Sequence, residues 1–212
     1  MINRKELKAK AKQFAFNNKW NYWKPQLIYL LFSVLLAVIA GIVVYALGYE
    51  LTDQLEESIT TFIELLLTPM AVGMITYYIK LVRGEKISTK EILFGKYKIF
   101  PKIILVQIIV SLLTMLGFFL LIIPAFIVAY QMIMTTYILA DDISDSMGAS
   151  EITSYSKKIM DGHKWDYFIF EISFLGWLLL GIVTFGIAFI WGAPYMEFAT
   201  VMYYEELKQI AK

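Results

Sequence analysis

The chain has 212 residues, of which 59% are hydrophobic and 17% charged, against about 25% charged in ordinary soluble domains. A water-soluble fold of this size cannot hide so much apolar surface, so the bilayer is the expected solvent for much of it. The net charge of +1 conceals strongly segregated charges, while the absence of cysteine and the single histidine exclude a disulfide framework and a thiol nucleophile and leave little for zinc or triad chemistry.

Residues 1–24 form a basic arm. Leu7, Ala11 and Phe14 share one helical face, with Lys5, Lys8, Lys10 and Lys12 elsewhere. That pattern predicts a short amphipathic helix on an anionic inner-leaflet surface, the alternative being a solvated basic arm. Trp20, Tyr22 and Trp23 follow where an interfacial aromatic belt belongs. The apolar run from Pro25 to Gly48 is longer than a secretory apolar region of about 7–15 residues, so a retained transmembrane helix is expected rather than a cleaved signal.

The first hairpin is predicted over 25–82, with helices at 25–48 and 59–82 around an acidic loop holding Glu50, Asp53, Glu56 and Glu57. A basic connector, 83–102, leads to a second hairpin at 103–140, turning near Gly117. A polar connector, 141–166, contains a second amphipathic segment near 149–160. The third hairpin, 167–204, turns near Phe185-Gly186, and a tail occupies 205–212. The fold class is therefore all-α, a polytopic bundle of six transmembrane helices. All 19 lysines and arginines fall in the arm, the two long connectors with their helix ends, or the tail. With six crossings these segments share one side, which the positive-inside rule makes cytoplasmic, both termini included.

Internal similarity points to three amphipathic-helix-plus-hairpin repeats. A shift of 145 positions pairs Glu6 with Glu151, Lys12 with Lys157, Lys19 with Lys164, Trp20 with Trp165 and Tyr22 with Tyr167. A shorter middle copy keeps Glu91, Lys96, Tyr97 and Phe100. Lys19-Trp20, Lys96-Tyr97 and Lys164-Trp165 are the expected interfacial anchors. Each second helix carries a proline: Pro69, Pro124 and Pro194. A proline kinks its helix and frees a carbonyl that needs a partner. Three such helices are expected to face one another, with kinks that are structural rather than gating.

Glu64, Glu171 and Glu197 are the carboxylates inside apolar stretches, where an ionised group costs about 2.5–3.5 kcal/mol at the helix centre. Glu64 and Glu171 lie near helix ends and are expected to reach interfacial water. Glu197, about a turn after Pro194, is either a proton or cation site or a structural hydrogen-bonding group. Gln107 and Gln131 read as interhelical glue. His163 is expected at the boundary as a hydrogen-bonding residue. Asp141, Asp142 and Asp145 lack the spacing of a calcium loop and are expected to cap and solvate a helix end. No phosphate-binding glycine loop and no nucleophile elbow is visible. No catalytic, cofactor or metal residues are predicted, and the basic residues track membrane boundaries rather than nucleic acid.

Asn3-Arg4-Lys5-Glu6-Leu7-Lys8, the segment Met160-Asp161-Gly162-His163-Lys164-Trp165, Ser173-Phe174-Leu175-Gly176-Trp177, Pro194-Tyr195 and Tyr203-Tyr204-Glu205 together resemble an uncharacterised family of integral membrane proteins from Gram-positive bacteria, a domain of unknown function. The resemblance implies a bacterial plasma-membrane setting and no established reaction. Glu171 and Glu197 depart from the neutral residues expected in those helices. The expected function is non-enzymatic: an accessory or regulatory component of transport, secretion or envelope stress and peptide resistance. Another membrane protein or a second copy is its candidate partner. The alternative is a small transporter for a cation or amphipath that protonates Glu197.

Overall fold

The computed structural model describes residues 2–17, 19–50, 52–86, 88–120 and 122–211, and all regular structure among them is helical. The α-helices are α1 Arg4–Asn17, α2 Lys19–Ala46, α3 Asp53–Arg83, α4 Thr89–Phe94, α5 Phe100–Leu120, α6 Ile122–Met132, α7 Thr135–Ala140, α8 Ala149–Ile159, α9 Lys164–Ile172, α10 Leu175–Val183 and α11 Phe189–Ile210. Short 3-10 turns cover Tyr97–Ile99 and Asp142–Ser146. Among the described residues, four helical stretches are long and apolar enough to cross a membrane: Trp20–Ala46, Asp53–Arg83, Thr89–Gly117 and Lys164–Val183. The expected fourth crossing contains only the shorter apolar stretch Pro124–Ala140. The expected sixth is α11, which carries Glu197, Glu205, Glu206 and Lys208.

Local chemistry sets the helix ends. Thr52 caps α3 by accepting from the Leu55 amide at 3.3 Å, and Gly84, at φ 71°, ends it. There the Glu85 amide reaches back to the Lys80 carbonyl at 3.0 Å, closing the turn that only a left-handed residue permits. The reversal between α10 and α11 uses Phe185 and Gly186, both at positive φ. Two predicted helices are broken instead of continuous. Thr135 donates to the Met132 carbonyl at 2.7 Å where α6 gives way to α7. Between α9 and α10, Lys8 of α1 donates to the backbone carbonyl and hydroxyl of Ser173, both at 3.0 Å. A remote ammonium thus satisfies carbonyl groups that the helix end leaves open.

The core occupies one end of the bundle. In α3 every buried residue lies from Leu67 onward, and in α11 from Gly192 to Leu207. The preceding half of α3 exposes Phe62, Leu65 and Leu66, and α10 exposes Leu178, Leu179 and Ile182. Only 6% of the apolar window of α2 is buried inside the protein. Exposure of so much aliphatic surface is stable only in an apolar solvent. The packed end is also the charged end, where α1, α4 and α8 dock.

These short helices do not offer their apolar faces to a lipid surface. Leu7 and Ala11 of α1 are buried, and Phe14 stacks on Phe198 of α11 with ring centroids 5.0 Å apart. Ile92 of α4 and Ile152 of α8 are fully buried. Asn3, Ser88 and Gly148 each precede a glutamate by three residues, at Glu6, Glu91 and Glu151. Glu6 and Glu151 bond back toward those caps, at 3.1 Å to the Asn3 side chain and 2.6 Å to the Gly148 amide.

Two of the proline-bearing helices, α3 and α11, meet at this end, whereas α6, which carries Pro124, packs on α5, α8 and α9. α3 packs on both α7 and α11, Tyr137 lies 6.1 Å from Tyr204, and Thr76 donates to the Ala140 carbonyl at 2.7 Å. Tyr97 donates to the Leu66 carbonyl at 2.8 Å, beside the Pro69 kink. Close packing of α4 on α3 requires Gly73, where a Cβ would stand 2.6 Å from the Ile92 carbonyl oxygen and 2.7 Å from that of Glu91. Both obstacles are backbone, so Gly73→Ala must push α4 away, at a cost of about 1–3 kcal/mol. Gly176→Ala meets nothing within 4 Å and is the neutral control. Thermal unfolding of both variants in one detergent checks this.

Candidate functional site

Glu197, on α11 three residues after Pro194, is half-buried among Tyr137, Tyr78 and Tyr167, with Thr200 one turn on. Its Oε1 is sealed from solvent and makes no hydrogen bond of ordinary geometry. Glu64 is exposed. Glu171, expected to reach interfacial water, instead accepts a hydrogen bond from Tyr130 of α6 at 2.5 Å, which ties α6 to α9. At Gln131 the interhelical bond uses the backbone carbonyl, which accepts from Ser156 of α8 at 2.7 Å. Gln107 is exposed. Pro69 and Pro194 are buried, and Pro124 is half-buried.

The expected anchors divide. Trp20 and Trp165 are 68% and 70% exposed, and Tyr97 is also exposed. Lys164 pairs with Asp161 at 3.2 Å, whereas the side chain of Lys19 lies outside the described residues. Lys96 differs from the expectation: only 7% exposed, it lines a pocket inside the charged end. The turn at Tyr97–Ile99 folds this segment against α3 and carries Lys96 inward with it.

The most highly organised polar group is one that the sequence did not single out as a centre. Asp141, expected to cap a helix end in solvent, follows α7 directly and is 1% exposed. Arg83, from the last turn of α3, donates to both of its oxygens, at 3.0 and 2.7 Å. Lys208 and Tyr204 of α11 donate to Oδ2 at 2.5 and 2.9 Å. Arg83 also bonds Glu205 at 2.6 Å. Burial opposes ionisation of Asp141, but the hydrogen bonds and charges of Arg83 and Lys208 outweigh it and hold the carboxyl well below the usual carboxylate range. A nearby second tie joins the N-terminal arm to the rest, Arg4 to Asp166 at 3.4 Å, with Tyr203 donating to the same aspartate at 2.9 Å.

These groups can do two things chemically. Glu197 sets an ionisable carboxyl, with Oε1 sealed from solvent, among tyrosine side chains inside the packed end. The Asp141 group can pin three segments, because a bidentate arginine fixes direction as well as distance. No nucleophile with an adjacent base joins either group. Among the described residues no set of three histidine, aspartate or glutamate side chains converges where a metal ion would sit.

Asp141→Asn keeps the shape and removes the charge, leaving Lys208 without its counter-charge and Arg83 with Glu205 alone, at an expected cost of about 3 kcal/mol. Because the folded value is depressed, the contribution of the charge is complete above the unfolded value near 3.8. It is lost only as pH falls below that toward the folded value. Melting temperature measured from pH 7 to pH 3 should therefore fall for the wild type below about pH 4. In Asp141→Asn that acid-dependent component is absent.

Residues 117–211, from the end of α5 through α11, match a family model described as Protein of unknown function (DUF975). No curated protein and no solved structure matches the chain. The C-terminal part of the chain, with Asp141, Glu171 and Glu197 inside it, is therefore similar to an uncharacterised domain of unknown function.

Proposed function

We propose that the protein is a non-enzymatic accessory or regulatory component of the plasma membrane of a Gram-positive bacterium, serving transport, secretion or envelope stress and peptide resistance. In this reading it crosses the membrane six times, as three amphipathic-helix-plus-hairpin repeats, with both termini cytoplasmic. Support for the repeat comes from matched positions. Leu7, Ile92 and Ile152 each follow the matched glutamate and are each buried, and Tyr22 and Tyr167, 145 positions apart, are both 3% exposed. Support for the orientation is the gathering of the arm, both long connectors and the tail at one end, by the Arg4–Asp166, Arg83–Asp141 and Lys208–Asp141 pairs.

The observation that carries the accessory reading is the Asp141 tie. It fastens α3, α7 and α11 together at the charged end, where a carrier working by alternating access would have to open. The long, barely packed apolar flank of α2 suits contact with lipid and with another membrane protein or a second copy. Exposed basic residues such as Lys5 and Lys12 suit anionic headgroups. A second reading, a small transporter for a cation or amphipath, draws on the unpartnered oxygen of Glu197.

Capture from mild detergent, comparing wild type with Glu197→Gln, separates the two. The accessory reading expects a stoichiometric membrane partner retained by both proteins. The transporter reading expects no partner, together with proton-coupled flux in vesicles that Glu197→Gln abolishes while the fold persists.

A further inference from the structure

We propose that the charged end contains a binding site for an aminoalkyl phosphate, the group borne by a zwitterionic phospholipid headgroup or by its free phosphoamine. The site is a pocket of about 400 Å³ formed by α3, α4, the turn that follows it and the turn after α7, a volume within the range of about 300–1,000 Å³ typical of small-ligand sites. Its charged lining is Lys80, Lys96 and Lys98 on one side of the balance and Glu91, Asp142 and Asp145 on the other.

Lys80 and Glu91 pair at 3.1 Å through one carboxylate oxygen, while the other, Oε2, is buried without a hydrogen-bond partner and is a further acceptor for an ammonium. Subtracting that pair leaves two ammonium groups, Lys96 and Lys98, and two carboxylates, Asp142 and Asp145. None of these four forms an ion pair among the described residues. Lys98, Asp142 and Asp145 are exposed and hydrated. Lys96 is not: only 7% of the residue is exposed, its stem is packed, and its ammonium makes no ion pair in the pocket that it lines. Removing an ammonium from water is costly unless a counter-charge replaces the lost hydration. An anion entering the pocket supplies that charge. A simple anion would leave Asp142 and Asp145 facing it with like charge. A ligand that carries a phosphate and, a few bonds away, an ammonium meets both sets, with the phosphate on Lys96 and Lys98 and the ammonium on Asp142 and Asp145.

The position of the pocket fits a ligand presented by a lipid surface. Tyr97, next to Lys96, is exposed and stacks obliquely on exposed Phe94, 6.5 Å between centroids. Tyr97 also touches α3 at Leu66, where the exposed half of that helix ends and its packed half begins. Thr76, in the pocket wall, lies ten residues further along, about 15 Å toward the charged end. With the crossing of α3 taken to end near residue 82, as in the six-span reading, the pocket walls at Thr76 and Lys80 stand at the inner membrane boundary. The site does not depend on whether the protein is an accessory component or a carrier.

The test uses the full chain in a maltoside detergent and in nanodiscs. Phosphoethanolamine and inorganic phosphate are titrated calorimetrically. Retention of phosphatidylethanolamine against phosphatidylglycerol is read by native mass spectrometry. The wild type should bind the phosphoamine group in at least one form, and Lys96→Met should weaken binding tenfold or more. Asp142→Asn with Asp145→Asn should abolish the preference for the amine-bearing headgroup. Binding of free phosphoethanolamine as tight as that of the lipid identifies a soluble ligand, and lipid-only binding identifies a headgroup; both uphold the site. No binding of either form, equal affinity for inorganic phosphate, or an unchanged Lys96→Met overturns it. If Lys96→Met does not fold, Lys98→Met, at an exposed position, takes its place. A several-fold loss is then expected, and unchanged binding overturns the proposal.

Discussion

A carboxylate taken almost wholly out of water stays ionised only where positive charge and hydrogen-bond donors converge on it, and Asp141 has both from two directions. Arg83 comes from the end of α3, and Lys208 and Tyr204 come from α11. Since α7 delivers Asp141, the group settles the relative positions of three segments that are far apart in sequence. The aromatic packing around it, Tyr137 on Tyr204 and Tyr78 on Phe198, is arranged by that settlement. Removing Arg83 or Lys208 leaves the buried carboxylate with a single cation, and removing the Tyr204 hydroxyl takes away a neutral donor.

The short helices follow a related economy. An amphipathic helix at a membrane has two places for its apolar face, the lipid or the protein. In α1, α4 and α8 the protein takes it. The consequence is an asymmetric molecule, with one end packed like a globular domain and the other presenting aliphatic side chains outward. Gly73 shows how tight the packed end is, since not even one methyl group fits between α3 and α4.

Much of the fold was legible in the sequence because it depends on local signals. Uninterrupted apolar runs located the long helices, and Gly48, Gly84 and Phe185-Gly186 marked real ends. Glu6 and Glu151 bond back to Asn3 and Gly148 three residues earlier, a relation short enough for the sequence to carry. The breaks at residues 133–134 and 173–174 were not, as neither contains proline or glycine, and one is held by Lys8 from 165 residues away. The Asp141 group was hidden for the same reason. Its partners lie 58 and 67 residues distant, and nothing in Asp141-Asp142 distinguishes a buried aspartate from a solvated one. The inward side chain of Lys96, expected as an interfacial anchor, depends on a turn that composition does not specify.

The attachment of α1 has a consequence for the order of events during synthesis. Lys8, Arg4 and Phe14 are made well before their partners Ser173, Asp166 and Phe198. At translation rates of about 5–20 residues per second, the 165 residues between Lys8 and Ser173 take roughly 8–33 s to produce. Throughout that interval Leu7, Ala11 and Phe14 lack the α9 and α11 surfaces that they meet in the folded protein. The docking of α1 is thus a late event, the step that closes the packed end.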